Sequence, residues 1–137
     1  MYARVTFYAS KLIARTKRAT PDALAKTAAM IRREARRTLK VRSGTSRAGS
    51  VPHSHTQGGL RVIAYNVYSN GAIIGPVKFI GSNFLATPVP GLHEHGGLTR
   101  GARGWVRYPK RPFMSTTLKR IRGRIPREFS ITMARYF

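Results

Sequence analysis

Cysteine is absent from the 137-residue chain. Disulfides, thiol nucleophiles and cysteine-based zinc sites are therefore excluded, and a small secreted domain stapled by disulfides is not what this sequence encodes. Acid is scarce as well: four Asp and Glu stand against 26 Lys and Arg, a formal net charge of +22 at pH 7. With Asp22, Glu34, Glu94 and Glu128 as the whole carboxylate supply, general acid–base catalysis has few groups to draw into one cleft. There is no serine elbow and no phosphate-cradling glycine loop. No apolar run is long enough to span a bilayer. Residues 1–19 alternate apolar and basic side chains without the continuous apolar stretch of a signal peptide. The expectation is a protein made and assembled in a cytoplasm, with no membrane partner.

What is present suffices for a core. Apolar residues make up 42% of the chain, an ordinary globular value, and a chain of this length reads as a single domain over residues 1–137. The charge is unevenly spread: Lys and Arg number 13 in residues 1–50, 3 in 51–100 and 10 in 101–137. The middle reads as a neutral packed body between two cationic ends. Arg outnumbers Lys, and its planar fork suits bidentate contact with phosphate or carboxylate. Without a polyanion or an acidic protein surface nearby, self-repulsion opposes both compaction and oligomerisation.

Residues 2–13 are expected to form a strand or an irregular N-terminal arm within 1–19. The clearest element follows. Thr20 reads as an N-cap, with Pro21 at N1 and Asp22 at the positive end of the helix dipole. Leu24, Ala28, Ile31, Ala35 and Leu39 recur at helical spacing, and Lys26, Arg33, Arg37 and Lys40 lie opposite, with Arg32 and Arg36 flanking the stripe. Residues 42–59 read as an extended loop rich in Ser, Gly and Thr. Residues 60–68 read as a strand with Ile63, Tyr65 and Val67 on one side. Asn70-Gly71 makes a hairpin turn tolerant of positive φ, and residues 72–77 return, ending at Gly75-Pro76.

Further on, residues 92–97 begin a strand or a short helical turn. Residues 98–104 read as a flexible Gly- and Arg-bearing segment and 105–108 as a short strand. Pro112 is placed at or near the first position of a helix that Pro126 kinks or restarts. The fold class expected is α+β: a small antiparallel sheet with a long N-terminal helix and a C-terminal helix packed on one face.

Two His-x-His pairs, His53/His55 and His93/His95, invite a zinc reading. The first pair sits in a loop, and Glu94 alone offers a carboxylate beside the second, so loop- or interface-lining histidines are the expectation. No metal, cofactor or catalytic residue is assigned. The basic face of Lys26, Arg32, Arg33, Arg36, Arg37 and Lys40 is the candidate contact with a partner, either the backbone of double-stranded DNA or acidic protein neighbours.

Four strings stand in fixed order: residues 52–61 (PHSHTQGGLR), Ile74-Gly75-Pro76, residues 92–97 (LHEHGG) and Arg111-Pro112-Phe113-Met114. In this order, behind a basic helix, they resemble the neck and tail-completion families of tailed bacteriophages over roughly residues 20 to 125. Gln57 departs from that pattern, standing where the family more often passes straight from Thr to Gly. The resemblance implies a virion structural protein at the head–tail junction, assembled in the host cytoplasm. It implies a homo-oligomeric ring of six copies between phage connector and tail proteins, through which DNA passes.

On this view Pro52, His53, His55 and Thr56 form a subunit-interface loop, and Gly75, Pro76, His93, Glu94, Gly96, Gly97, Pro112 and Phe113 are structural motif positions. Most arginines would face protein partners and not the DNA channel, because a cationic lumen would retard the genome. An RNA- or DNA-binding protein of ribosomal type shares the size and charge but has no reason to carry the ordered strings. A basic ribonuclease toxin would need His53, His55, His93 or His95 to be individually essential.

Overall fold

The computed structural model describes residues 9–54, 59–77, 89–101 and 103–137. Helix α1 spans Ala9–Thr38, so the helix begins before the Thr20-Pro21 signature, and the expected strand or arm is helical from Ala9 onward. Residues 1–8 lie outside the described residues. Thr20 does not cap: its Oγ1 donates to the Thr16 carbonyl, and Thr16 Oγ1 donates to that of Leu12, each at 2.9 Å. Those hydroxyls are satisfied inside the helix, and the upstream run of Lys, Leu, Ala and Arg favours continuation. Pro21 therefore sits in the helix interior, where it removes one backbone donor.

From Ala19 on, α1 is the spine of the fold. Ala28, Ile31, Ala35 and Leu39 are buried as the periodicity requires, and a second row of Ala19, Ala23, Thr27, Met30 and Glu34 is buried beside them. Residues 10–18 are exposed. The buried face is too wide for one neighbour, and two sets of elements cover it.

On one side packs a hairpin of β1 (Ile63–Val67) and β2 (Ala72–Pro76), antiparallel, with Ile63 opposite Pro76 and Val67 opposite Ala72. A short 3₁₀ turn, Gly59–Arg61, leads into it. Ile63 is buried and Tyr65 and Val67 half-buried, while Ala64 and Asn66 face out, as the alternation requires. The turn differs from expectation: Tyr68 N–H donates to the Gly71 carbonyl at 2.8 Å, and among the described residues neither Asn70 nor Gly71 has positive φ. A four-residue connection removes the need for a left-handed pair. Pro76 occupies the strand end, where its missing donor matters least.

On the other side pack α3 (Met114–Ile121) and α4 (Arg124–Ala134). The break falls at Arg122-Gly123 and not at Pro126, which lies in the first turn of α4, where an N–H has no partner to lose. Helix α4 runs antiparallel to α1. Its start is held by Arg124 to Glu34 (3.5 Å), and Tyr136, just past its end, donates its hydroxyl to Asp22 at 3.1 Å.

Glu34, only 6% exposed, lies under three guanidiniums: Arg37 (3.4 Å), Arg120 (3.4 Å) and Arg124. Arg120 also donates to Thr38 Oγ1 at 2.9 Å, and Thr117 Oγ1 donates to the Phe113 carbonyl at 2.7 Å. Phe113, fully buried, fills the space between α1 and β1 with Ala35, Leu39, Leu60 and Ile63.

Helix α2 (Val89–His95) and a second antiparallel hairpin, β3 (Gly97–Gly101) with β4 (Gly104–Tyr108), complete the chain. The class is α+β as expected, with two separate two-stranded sheets instead of one. The 42–59 segment is not extended over its described part. Arg42 N–H donates to Ser54 O (3.1 Å), Gly49 N–H to Lys110 O (2.7 Å) and Arg111 Nε to Ser46 O (2.8 Å), and Pro52 is fully buried. Backbone donors and carbonyls of the loop are met by the body of the same chain, which folds it back.

Glu94 caps α3 from a distance. Its Oε2 accepts the N–H groups of Phe113 (3.0 Å) and Met114 (3.1 Å), and its Oε1 that of Ser115 (2.9 Å). The N-cap residue itself, Phe113, makes no side-chain cap bond, so the tertiary carboxylate supplies what a local Ser or Asp would. Gly96, at φ +72°, ends α2; a Cβ there would lie 3.1 Å from Lys110 N and 3.2 Å from Tyr108 O. Pro112 precedes the helix by two residues instead of opening it at N1.

Burial pushes the Glu94 carboxyl up, but hydrogen bonds from the Ser115 side chain and the three backbone N–H groups outweigh it and hold the group below its usual 4.5. A carboxyl lowered by folding contributes stability above its unfolded pKa and loses it as pH falls through the folded one. E94Q should therefore cost about 1–3 kcal/mol at pH 7, and its deficit against the parent should shrink as pH drops from about 4.5 downward. Urea midpoints across pH measure this; a deficit constant with pH contradicts the assignment. E34Q leaves three guanidiniums around a neutral amide, and because those arginines are half to three-quarters exposed the expected loss is a screened ~1–3 kcal/mol. Added salt should recover part of it by screening the Arg–Arg repulsion, and a midpoint indifferent to the substitution would show that the hub is inert.

Candidate functional site

Ala29, Arg32, Arg33, Arg36 and Arg37 occupy positions i, i+3, i+4, i+7 and i+8 of α1 and so share one face. Arg61, from the 3₁₀ turn ahead of β1, closes the opposite wall of a groove of about 440 Å³ lined by these six residues. Arg36 Nε donates to the Arg61 carbonyl at 3.1 Å, which fixes the two walls relative to each other. Arg32, Arg36 and Arg61 are half-buried, while Arg33 and Arg37 are exposed. Ala29, the small residue of the lining, leaves the space beside Arg32 and Arg33 unfilled.

Five guanidiniums thus converge on one concavity. Among the ion pairs of the described residues, only Arg37 has an acidic partner, Glu34, and that carboxylate is shared with Arg120 and Arg124. Such a groove offers planar, permanently charged donors at fixed spacing, suited to the non-bridging oxygens of phosphates or to a row of carboxylates. It has no group able to take or give a proton near neutrality, so its chemistry is binding.

Of the six basic residues read from sequence as one contact face, the structure brings four together: Arg32, Arg33, Arg36 and Arg37. Lys26 stands elsewhere, donating to Asp22 Oδ2 at 2.8 Å beside Tyr136, and that bond with Lys26 is the main reason the Asp22 carboxyl lies below its usual 3.8. Lys40 lies past the end of α1, exposed, its carbonyl accepting Ser54 N–H at 3.0 Å. Arg61 was not foreseen. It is 25 residues from Arg36 in sequence, and nothing local to the Leu60-Arg61 pair announces which helix face it will meet.

The motif positions converge differently. His93, Glu94, Gly96 and Gly97 meet Pro112 and Phe113 through the Glu94 cap, the Arg111 N–H to His93 O bond (2.7 Å) and the close approach of Gly96 to Lys110. Gly75 and Pro76 end β2 opposite Ala64 and Ile63. Of the loop residues, Pro52 is buried and His53 half-buried, and His55 and Thr56 lie outside the described residues.

The two histidines of the His-x-His pair on α2 lie in different surroundings: His93 is half-buried with its ring edge-on to Tyr108 (centroids 6.2 Å, 89°), whereas His95 is exposed. Burial, reinforced by the charge of Arg111, lowers the His93 pKa and favours the neutral ring. No group of three or more metal-ligating side chains occurs among the described residues. No protein-family model, curated protein or solved structure matches the chain.

The groove predicts a distinction between basic residues that composition cannot make. Binding of a 24-base-pair duplex, followed against salt, should lose about one unit of log–log slope in R33A and again in R32A. K26A should leave the slope at the parent value, because that lysine is committed to Asp22. Equal effects of all three substitutions would mean that diffuse charge, not the groove, does the binding.

Proposed function

We propose that the protein is a structural component of a phage virion at the head–tail junction, a neck or tail-completion ring that joins capsid connector to tail and lets DNA pass. The observation that carries this reading is that the four ordered strings have one physical purpose. Leu60 of the first, Ile74 of the second and Phe113 and Met114 of the fourth pack into one cluster against α1. Glu94 of the third caps the helix that the fourth leads into. Strings that depend on one another for packing occur together, and in order, as the mark of a shared fold, which is what a family resemblance requires. A ribosomal-type protein needs none of them.

The charge supports an assembly role. Asp22, Glu34 and Glu94 are all engaged inside the fold, so the surplus of positive charge is balanced only by something outside the chain. Identical copies in a ring cannot supply that counter-charge, so acidic faces of the adjacent connector and tail proteins meet the need, with the arginine groove as one docking surface and packaged DNA as a further counter-charge. The ribosomal-type alternative is favoured by one feature, the same groove, which fits a phosphate backbone equally well.

Native mass spectrometry of nuclease-treated protein, at moderate and high salt, separates the two. The ring reading expects a closed oligomer of defined copy number, six, that persists without nucleic acid. A monomer that grows only on addition of nucleic acid, and sheds it in high salt, would favour the alternative and sink the connector reading.

A further inference from the structure

The β3–β4 ribbon shares no residue with the arginine groove and meets the third string only at its base, where Gly97 pairs with Tyr108 and the Tyr108 ring lies edge-on to His93. Its register places Leu98 opposite Arg107 and Arg100 opposite Trp105. Direct partners in an antiparallel pair share a face, as do residues two apart along a strand, so these four side chains form one surface. All four are exposed, Leu98 by 64% and Trp105, the chain's single tryptophan, by 74%. On the opposite face Thr99 is 2% exposed and its direct partner Val106 is 42% exposed. The ribbon is therefore covered at Thr99 on one side and has no cover on the other among the described residues.

The pattern on the open side is a chequerboard. Each large apolar group sits about 5 Å from an arginine across the ribbon, with the next pair about 7 Å further along. Protein interfaces also use Trp and Arg, but around a contiguous apolar centre; here Leu98 and Trp105 each pair with an arginine, and the two do not form one apolar patch. An indole flanked by guanidiniums instead matches the alternation of base and phosphate along an unpaired nucleic-acid strand. Bases inside a duplex have both faces stacked and offer none to an indole.

At the foot of the ribbon, Leu98 and Arg107 also line a hollow of about 600 Å³ with His95, Tyr108, Lys110 and the backbone of Gly96 and Gly97. Lys110, just past the end of β4, adds one further cation at this end of the ribbon. The sequence contains no Asp or Glu from residue 95 to residue 127, so no carboxylate of this segment repels a phosphate.

We infer that the open face of the β3–β4 ribbon binds single-stranded nucleic acid, with an unpaired base stacked on Trp105 and the flanking phosphates held by Arg100, Arg107 and Lys110. This site is separate from the head–tail reading and does not depend on ring formation.

The lone tryptophan reports on it directly. Titration with a dT12 oligonucleotide should quench Trp105 emission, while heparin, a polyanion without bases, should bind without quenching. Anisotropy of labelled dT12 should show W105A weakened about 10- to 100-fold, W105F restored to within a few-fold of the parent, and R107A weakened with a shallower salt dependence. Unchanged circular dichroism in all three variants is expected, since both positions are exposed. The proposal is overturned if dT12 binds without quenching, or if W105A binds it as tightly as the parent. It is overturned equally if a 12-base-pair duplex or a Glu-rich peptide perturbs Trp105 at lower concentration than dT12, which would assign the ribbon to groove contact or to a protein partner.

Discussion

Glu34 is the contact on which the helical side of the molecule depends. Arg37 from α1, Arg120 from α3 and Arg124 from α4 bring three like charges to one place, an arrangement that by itself drives helices apart. A single buried carboxylate reverses the sign of that interaction. Exposed ion pairs are worth little individually, but here the acid is shielded and shared, so its removal exposes mutual repulsion as well as lost attraction. The hydroxyls of Thr38 and Thr117 extend the same seam. Asp22 repeats the device a few turns earlier, gripping Lys26 on its own helix and Tyr136 beyond α4. With both ends pinned, the α1–α4 pair has a fixed register.

Three of the four carboxylates, Asp22, Glu34 and Glu94, are thus spent where elements meet. Glu94 performs a third version of the task, satisfying the exposed donors at the start of α3 where no local side chain does so. This distribution has an outward effect. Acid placed at internal junctions is unavailable to offset the surface, so the cationic field is projected almost undiminished. Stability and electrostatic reach are two results of one allocation.

Local periodicity made part of this legible. The stripe from Leu24 to Leu39, the alternation of Ile63, Tyr65 and Val67, and Phe113 as an anchor were all readable because each depends on spacing within one element. The true start of α1 was not, because Thr20-Pro21 has the form of a helix start although the run before it continues the helix. Of the β3–β4 ribbon, residues 105–108 were readable as a strand, whereas β3 was not: with glycine at both its ends and an arginine within, it has the composition of a flexible segment and shows Leu98 to solvent. The Glu34 hub, the Glu94 cap and the Arg36–Arg61 contact span 86, 19 to 21 and 25 residues respectively. Contacts of that range leave no trace in a window of sequence.

The antiparallel docking of α4 on α1 also sets an order of events. Asp22 and Tyr136 are 114 residues apart, so during synthesis α1 emerges long before the helix that covers it. At typical translation speeds of about 5–20 residues per second the interval is about 6–23 s, far longer than a helix needs to form. For that time the nascent chain presents an amphipathic cationic rod with its oily side uncovered. The β1–β2 hairpin reaches it first and shields one flank, and the other waits for the last helix. Until α4 docks, that flank of α1 stays open, and only the last part of the described chain to be synthesised closes it.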